Sequence, residues 1–550
     1  MRALPSSAAR TIRSYSLPLL SAAAANLSFY PFRQEGLVWI ALTPMLVWLG
    51  DPRVSKSQAF NGLVLVGTAY HFAIVTPFLS LGWWGWGMTT IGELRHYFSY
   101  QRIFLAVLLA GVAVWGGLVL ALVGRLMRRH VTNPLASLWV IPSAWVLILE
   151  YMGHRTVFGF GWGLLGNRLH GSEVLRQTAS VTGVYGLSFF ILMVNALLAS
   201  WVIAWRRRTP RSGLQWMSGS LLQATAILFL VIIGMVGYGR AALHSSRQQT
   251  APVRVALLQG ARAEYAEEDF TSDGLDRLYT PMIEQAVTAG TDLLVLPETV
   301  WLRTLQLDDT TAPGARHLVP LSRMQSLLSQ KLRGTRTLLA LGIDAVSGGR
   351  IYNTTTFWTT ERLIGVYRKR RLVPFSEYRP ALLGWLAPQN RIHGAQFAFT
   401  PGHGPQLIRT PQLTLGPFIC QEVMFPDLVR QSVRAGAQLL VTTGNDGVFM
   451  SPMIAFEQAN LAQLRAVENG RSLLRCMKTG VSAVIDPQGR VLTSAPINAK
   501  AVISGQAYPS DRLTWYTRYG DWIVAVAALI VLAALFSGSS QLYKHGQPSV

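Results

Sequence analysis

The sequence predicts a polytopic helical membrane bundle of about eight spans, joined to one α/β domain outside the cytoplasm. Half of the 550 residues are hydrophobic, only 14% are charged, and the mean hydropathy is +0.30. A soluble globular domain usually carries about 25% charged residues. Long apolar segments fill the first part of the chain, strands alternate with helices from about residue 251, and one last apolar segment follows.

Seven apolar segments precede the α/β part, and several reach the roughly 20 residues that a helix needs to cross a bilayer. They lie near residues 16–29, 36–50, 59–81, 103–123, 136–153, 178–205 and 217–238, and an eighth covers 522–536. The basic N-terminus before residue 16 resembles a cleavable signal peptide. We favour a retained first helix, because further spans follow at once.

Basic residues in short loops predict the orientation of the bundle. The densest groups, at residues 125–129 and 206–211, fall in loops on the same side, which we place in the cytoplasm. This orientation predicts three parts: seven transmembrane helices in residues 1–242, an extracytoplasmic domain in 243–519, and a last helix with a cytoplasmic tail in 520–550.

Two Gly/Trp-rich stretches, LGWWGWGM at 81–88 and FGFGWGLLG at 158–166, fall in loops on the outer side. Tryptophan prefers the membrane–water interface, so we interpret them as part of an aromatic belt. They could also frame an entry for a lipid tail.

The net charge of +22 does not indicate nucleic acid, because the arginines are dispersed among apolar segments. The sequence contains no zinc-ligand spacing, no phosphate-binding Walker loop and no recognisable nucleic-acid module. We therefore expect no metal, no cofactor and no nucleic-acid partner, and we expect a bilayer with anionic phospholipids as the surroundings. Two cysteines are too few for a disulfide framework.

The domain after residue 251 is predicted to be a layered α/β structure with mixed sheets. Antiparallel pairing is expected near residues 351–366 and 481–492. The expected strands are 253–259, 292–296, 337–343, 354–359, 415–419, 438–443 and 480–485, and the expected helices are 275–288, 425–435 and 456–469.

Three strand ends in this domain finish in a reactive side chain: Glu298, Lys369 and Cys420. A thiol needs a base or a lowered pKa to attack, and a carboxylate can take its proton. A lysine ammonium can stabilise an oxyanion beside a backbone N–H, for which Gln421 is the natural donor. Because Lys369 lies among arginines, we expect a depressed pKa for Cys420, with apolar burial as the opposing effect. The other cysteine, Cys476, is expected to pack in the core.

These three residues occupy the positions of the Glu-Lys-Cys triad of the nitrilase, or carbon–nitrogen hydrolase, superfamily, which the domain resembles. The whole chain is similar to the bacterial apolipoprotein N-acyltransferases within that superfamily. The motifs that carry the resemblance are WIALTPMLVWL at 39–49, GVYGLSFFILMVNALLA at 183–199, YRKRRLVPFSEYRP at 367–380, ENGRSLLRCMKTGVSAVIDPQG at 468–489 and YTRYGDW at 516–522.

The resemblance implies an αββα sandwich on a membrane bundle in the bacterial inner membrane, facing the periplasm. Cys420 would take an acyl chain from a phospholipid as a thioester and pass it to the α-amino group of the diacylglyceryl-modified cysteine of an apolipoprotein. Glu298 would be the base and Lys369 the oxyanion donor, with Glu377 ordering the site. The resemblance implies no cofactor, and we expect a monomer. Further supporting residues are Gln421, Glu422 and Asn445.

The chain also departs from the family pattern. Gln421 stands where the family usually has an aromatic residue, and the segment after 259–260 lacks the usual Pro and Trp, for which Tyr265 or Phe270 could substitute. The motif TGNDGVFM at 443–450 has lost a tryptophan, and Gln458 and Gln463 replace His and Arg.

These departures leave two alternatives open. One is a membrane-anchored amidase or acyltransferase with a different acceptor, and the other is a catalytically silent component of the envelope.

Overall fold

A computed structural model describes most of the chain. The described residues are 6–29, 32–75, 91–156, 159, 161–209, 216–244, 251–260, 275–301, 303–312, 315, 317–374, 376–378, 399–449 and 452–537. Close packing divides the chain into two compact units: Met1–Thr76, Ala106–Ala242 and Asp521–Val550 form the first, and Pro77–Leu105 and Leu243–Gly520 form the second. The predicted three-part division stays a prediction.

The first unit is helical. Its helices are α1 (Ser6–Leu27), α2 (Thr43–Leu49), α3 (Lys56–Val75), α4 (Ile91–His130, which begins in the second unit), α5 (Pro134–Ala144), α6 (Ala179–Arg207), α7 (Gly219–His244) and, late in the chain, α13 (Trp522–Ser537). A π-helix, Trp145–Met152, continues α5.

Among the described residues, four helical segments are long and apolar enough to cross a membrane: Ala106–His130, Pro134–Met152, Leu175–Arg207 and Gly219–His244. Glu35–Leu49 and Trp522–Ser537 are apolar but shorter. The predicted count of about eight spans is not confirmed and stays a prediction.

The segment predicted at 36–50 is interrupted rather than continuous. A 3₁₀ helix, Glu35–Trp39, precedes α2, and the break leaves backbone groups without helical partners. Asn195 of α6 satisfies them, because its Oδ1 accepts from the N–H groups of Leu42 at 2.9 Å and Thr43 at 3.1 Å. Its Nδ2 donates to the carbonyl of Val38 at 3.0 Å. In an apolar environment, the backbone groups at a break in a helix need hydrogen-bond partners within the protein.

The second Gly/Trp-rich stretch forms 3₁₀ turns, Gly161–Gly163 and Leu165–Gly171, inside the helical unit. Trp162 is 1% exposed, and its Nε1 donates to the carbonyl of Ile74 at 3.1 Å. The aromatic-belt interpretation is therefore wrong for Trp162. The first stretch, at 81–88, lies outside the described residues.

The second unit contains strands and helices in alternation. The strands are β1 (Val253–Gln259), β2 (Leu293–Val295), β3 (Thr304–Gln306), β4 (Leu318–Pro320), β5 (Leu338–Ser347), β6 (Arg350–Trp358), β7 (Leu363–Arg368), β8 (Ile408–Arg409), β9 (Thr414–Ile419), β10 (Leu439–Gly444), β11 (Leu473–Met477), β12 (Ala483–Ile485), β13 (Val491–Ser494) and β14 (Ala501–Ala507). The helices are α8 (Thr280–Thr288), α9 (Leu321–Lys331), α10 (Pro426–Arg434), α11 (Pro452–Asn469) and α12 (Trp515–Tyr519).

The strands form two mixed sheets, as predicted. The first has the order β14-β1-β2-β5-β3-β4, with β6 paired to β5 and β7 to β6, and the second has the order β13-β12-β11-β10-β9-β8. The central pairs β1/β2, β2/β5, β9/β10 and β10/β11 are parallel. Antiparallel pairing joins β5, β6 and β7 in one sheet and β11, β12 and β13 in the other, at the two places that the sequence indicated.

The two sheets pack against each other, and helices cover their outer faces. Across the interface, the hydroxyls of Thr355 in β6 and Thr443 in β10 lie 2.8 Å apart. A buried apolar cluster joins the first sheet to α8 and α9, and α10 and α11 contact the second sheet. This is the predicted αββα layering.

Candidate active site

Cys420 lies where β9 ends, at the first residue of the 3₁₀ helix Cys420–Met424. Its φ is +54°, in the left-handed region that residues other than glycine rarely adopt. Such conformations cost about 1–3 kcal/mol and cluster at active sites. A Cβ added at Gly444, at the end of the adjacent β10, would lie 3.2 Å from the Cα of Cys420. The two strand ends therefore come close beside the thiol, where the sequence predicted it.

Lys369 follows β7 directly, and its side chain is buried between two carboxylates. Its Nζ lies 2.8 Å from Oε1 of Glu377 and 3.2 Å from Oε1 of Glu298. The loop that carries Glu298 crosses β5 at Gly342, where an added Cβ would lie 2.7 Å from the Cα of Glu298. A glycine is required for so close an approach. The structure thus brings together Glu298, Lys369 and Glu377 from three separate segments.

Lys369 is surrounded by charges of opposite sign. Burial alone would lower its pKa, because desolvation disfavours the ammonium form. The negative charges of Glu298 and Glu377 act in the opposite direction and prevail, so the pKa of Lys369 lies well above its usual value. Lys369 is consequently a cation at neutral pH, as the stabilisation of an oxyanion requires.

The expected depressed pKa of Cys420 is wrong. Burial is the largest effect and raises the pKa of the thiol well above its usual value, and the charges of Glu298 and Asp446 raise it further. Lys369 and the backbone N–H of Asn445 act in the lowering direction but do not compensate. Since the resting thiol is protonated, its attack needs a base within reach.

Asn353 in β6 is a site residue that the sequence analysis missed. Its Nδ2 donates to Oε1 of Glu298 at 2.6 Å and to Oε1 of Glu377 at 2.9 Å, the same two oxygens that Lys369 contacts. Its backbone carbonyl also accepts from the N–H of Lys369 at 2.9 Å. The available signal was the run of four polar residues, 353–356, between the apolar pairs 351–352 and 357–358.

Glu422 ties the backbone beside Lys369 to the backbone beside Cys420. It is fully buried, and burial raises its pKa, whereas its hydrogen bonds act in the lowering direction. Its Oε1 accepts from the N–H groups of Arg370 at 2.7 Å and Arg371 at 2.9 Å, and its Oε2 accepts from the N–H of Ile419 at 2.7 Å and the hydroxyl of Tyr367 at 2.8 Å. The carboxylate therefore positions both candidate catalytic segments.

The remaining predicted residues lie on either side of the thiol. Gln421 is buried, and its Nε2 donates to the carbonyl of Arg371 at 3.2 Å. Asn445 follows β10, and its Oδ1 accepts from the N–H of Gly447 at 3.2 Å, while its own N–H donates to the Cys420 sulfur. Both residues thus stabilise the turns that hold the site.

Behind the site lies an ion pair between Asp446 and Arg475, whose Oδ2 and Nη2 atoms are 2.6 Å apart and whose side chains are buried. This pair was not predicted from the sequence. Cys476 is fully buried, and its Sγ lies 3.2 Å from the carbonyl oxygen of Val295, so it packs in the core as predicted. Within the described residues, no three or more His, Cys, Asp or Glu side chains form a group that could hold a metal ion.

A thiol, a carboxylate and an ammonium that share one buried site, with backbone N–H groups beside the sulfur, are suited to acyl transfer through a covalent intermediate. The family model for carbon-nitrogen hydrolases matches residues 254–512. The helical unit matches a second family model, the N-terminal domain of apolipoprotein N-acyltransferase, over residues 21–197. The chain therefore belongs to the class of proteins that contain both a carbon–nitrogen hydrolase domain and a membrane-associated helical unit.

Full-length relatives define the family more narrowly. The chain is 30% identical to an apolipoprotein N-acyltransferase of Geobacter metallireducens, over 96% of each protein. It is also 30% identical to that of Gloeobacter violaceus, over 93% of this chain and 91% of the relative, and 27% identical to that of Caulobacter vibrioides, over 96% and 95%. The chain belongs to the apolipoprotein N-acyltransferase family.

Replacement of Glu298 by Gln is expected to separate thiol reactivity from transfer. Loss of the Glu298 charge removes one cause of the raised pKa of Cys420, so the midpoint of alkylation by iodoacetamide against pH moves to lower pH. Acyl transfer is expected to fall about 10²–10⁴-fold, because Glu298 is the predicted general base. Alkylation is followed in a Cys476→Ala background, so that Cys420 is the thiol that reacts. Glu361→Gln, at an exposed turn, is the control, and an unmoved or higher midpoint in Glu298→Gln contradicts the electrostatic account.

Asn353→Ala is expected to lower kcat of acyl transfer about 10–100-fold with KM nearly unchanged, because small misplacements of catalytic groups have effects of this size. Both carboxylates lose a donor, while no group expected to contact substrate is removed. Thr356→Val is the matched control, since Thr356 lies in the same buried strand and its hydroxyl donates to the carbonyl of Leu341 instead. Steady-state kinetics with thermal unfolding of both variants checks the prediction. An equal loss of activity in the two variants would mean that Asn353 has only a structural role.

Proposed function

We propose that this protein transfers an acyl chain from a membrane phospholipid to the α-amino group of the diacylglyceryl-modified cysteine at an apolipoprotein N-terminus. The observation that carries the proposal is the convergence of Glu298, Lys369 and the strained Cys420 in one buried site, in a chain of this family. The relatives are named for N-acyl transfer to apolipoproteins. A membrane location suits both substrates, because their tails need not enter water.

In the first half-reaction, the sulfur of Cys420 attacks the carbonyl carbon of a phospholipid ester, and its proton passes to Glu298. The oxyanion is stabilised by the Lys369 ammonium and by the backbone N–H of Gln421. Collapse of this intermediate breaks the bond to the glycerol oxygen, which takes the proton from Glu298. A lysophospholipid leaves, and the acyl group remains on Cys420 as a thioester.

In the second half-reaction, the α-amino nitrogen of the acceptor attacks the thioester carbon and gives its proton to Glu298. The same two donors stabilise the second oxyanion. Collapse breaks the carbon–sulfur bond, the sulfur recovers the proton, and the amide is released. A thioester suits this order, because it retains the acyl group while the first product is exchanged for the acceptor.

Three further residues serve this reaction indirectly. Glu377 and Asn353 fix the positions of the Lys369 and Glu298 side chains. The N–H of Val373 donates to Oε2 of Glu377 at 2.7 Å, and this hydrogen bond anchors the LVPFSE segment. Glu422 fixes the Cys420 turn against the segment after Lys369. Membership of the family supports a location in the bacterial inner membrane, and the distribution of basic residues supports a catalytic unit in the periplasm.

The test is mass spectrometry of lipoprotein N-termini in cells whose own N-acyltransferase is depleted and replaced by this protein. Triacylated N-termini are expected with the natural sequence and with Cys476→Ala, and only diacylated ones with Cys420→Ala. Cys476→Ala is a matched control, because this second buried thiol contacts backbone carbonyls away from the base and the ammonium.

Diacylated N-termini with the natural sequence would favour the alternative of a different acceptor. Triacylated N-termini with Cys420→Ala would remove the covalent mechanism. The intermediate is checked separately: after incubation with a labelled phospholipid and no acceptor, label on the protein is expected to be released by neutral hydroxylamine and to be absent from Cys420→Ala.

A further inference from the structure

Helix α7 is the least buried of the candidate spans in the helical unit. Only 17% of its most apolar window is buried, against 72% for the span that contains α6. Two polar contacts join α7 to α6, one near each end of α7. Trp201 Nε1 donates to Thr225 Oγ1 at 3.1 Å, and the hydroxyls of Ser180 and Tyr238 lie 2.7 Å apart. Beside these contacts, α7 leaves a gap against α6 and the short segment before α6.

This gap is a groove of about 480 Å³, which we call the α6–α7 groove. It is lined by Phe190 and Val194 of α6, by Ile232, Val236 and Arg240 of α7, and by Trp39, Val174 and Leu175. The three α7 residues are four positions apart, so they share one face of the helix. The groove has the volume of a small-molecule site and is open on one side.

The dimensions of the groove match one leaflet of a bilayer. From Ile232 to Arg240 the helix rises about 12 Å, at 1.5 Å per residue. The hydrocarbon core of a bilayer is about 30 Å thick, so one leaflet contributes about 15 Å. Arg240 lies in the last turn but one of α7, which ends at His244. A long arginine side chain at such a position reaches the level of the lipid headgroups.

The chemistry of the groove matches the same occupant. Its walls are aliphatic and aromatic along the helix, and its cation lies at one end. A guanidinium is well suited to a phosphate, because its N–H groups can bind two oxygens at once.

We propose that the α6–α7 groove binds one anionic phospholipid, with an acyl chain between Phe190 and Val236 and its phosphate at Arg240. With the predicted orientation, this lipid belongs to the extracytoplasmic leaflet. The site is distinct from the Cys420 site, and its occupancy does not depend on the proposed reaction.

Native mass spectrometry of the full-length protein tests the groove directly. The purified protein, delipidated in detergent, is titrated with dioleoyl phosphatidylglycerol and, in parallel, with dioleoylglycerol, which has the same chains but no phosphate. One tightly retained phosphatidylglycerol is expected for the natural sequence. Arg240→Gln is expected to weaken that retention about fivefold, the usual effect of one basic residue near an anionic lipid.

Two tryptophan variants separate a defined site from general lipid coating. Val236→Trp fills the groove and is expected to abolish tight retention. Leu230→Trp adds the same side chain to α7 at a position that is 66% exposed and is expected to leave retention unchanged.

Equal retention by Val236→Trp and the natural sequence overturns the proposal, as does retention of dioleoylglycerol as tight as that of phosphatidylglycerol. Because Arg240 is exposed, Arg240→Gln keeps the test valid if Val236→Trp does not fold. Retention is measured without turnover, so an inactive but lipid-binding protein would contradict the proposed reaction and leave the groove supported.

Discussion

The burial of the Lys369 ammonium between two carboxylates is the constraint on which the catalytic unit depends. An isolated ammonium in a protein interior carries a desolvation cost of several kcal/mol, and removal of one partner from a buried pair typically costs 3–5 kcal/mol. Glu298 and Glu377 must therefore both face the same point, and Asn353 donates to both, which reduces their repulsion. These residues come from separate segments, so the site forms only when the first sheet and its loops are in place.

Cys420, the proposed nucleophile, belongs to the other sheet, so its alignment with Glu298, the proposed base, depends on how the two sheets pack. Thr355 and Thr443 form a hydrogen bond across that interface, and Cys420 follows β9, the neighbour of β10. Glu422 makes a second connection, since it accepts from the N–H of Ile419 at the end of β9 and from the hydroxyl of Tyr367 in β7. Sheet packing and catalytic geometry are thus set by the same buried polar contacts.

Apolar runs in the sequence were sufficient to predict the strands that end near Glu298, Lys369 and Cys420, because a buried strand ends where the apolar run gives way to polar residues. Other features depend on partners far along the chain. β14 was missed because its pairing with β1 joins residues 253–259 to 501–507. The break near residue 40 needs Asn195, and the polar run that contains Asn353 does not show which of its residues meets the two distant glutamates. The pKa of Cys420 was misjudged because the depth of burial is not visible in sequence.

The raised pKa of the thiol has a consequence for the proposed reaction. A preformed thiolate beside Lys369 would be a third anion around one cation, and it would react with any electrophile that entered. A protonated thiol instead becomes a strong nucleophile only when Glu298 takes its proton during attack on a carbonyl carbon. When attack occurs, Glu298 becomes neutral and an oxyanion appears beside Lys369, so one negative charge moves and none is created. The cluster keeps its net charge through both half-reactions, and a buried site needs little reorganisation to stabilise a charge that it already held.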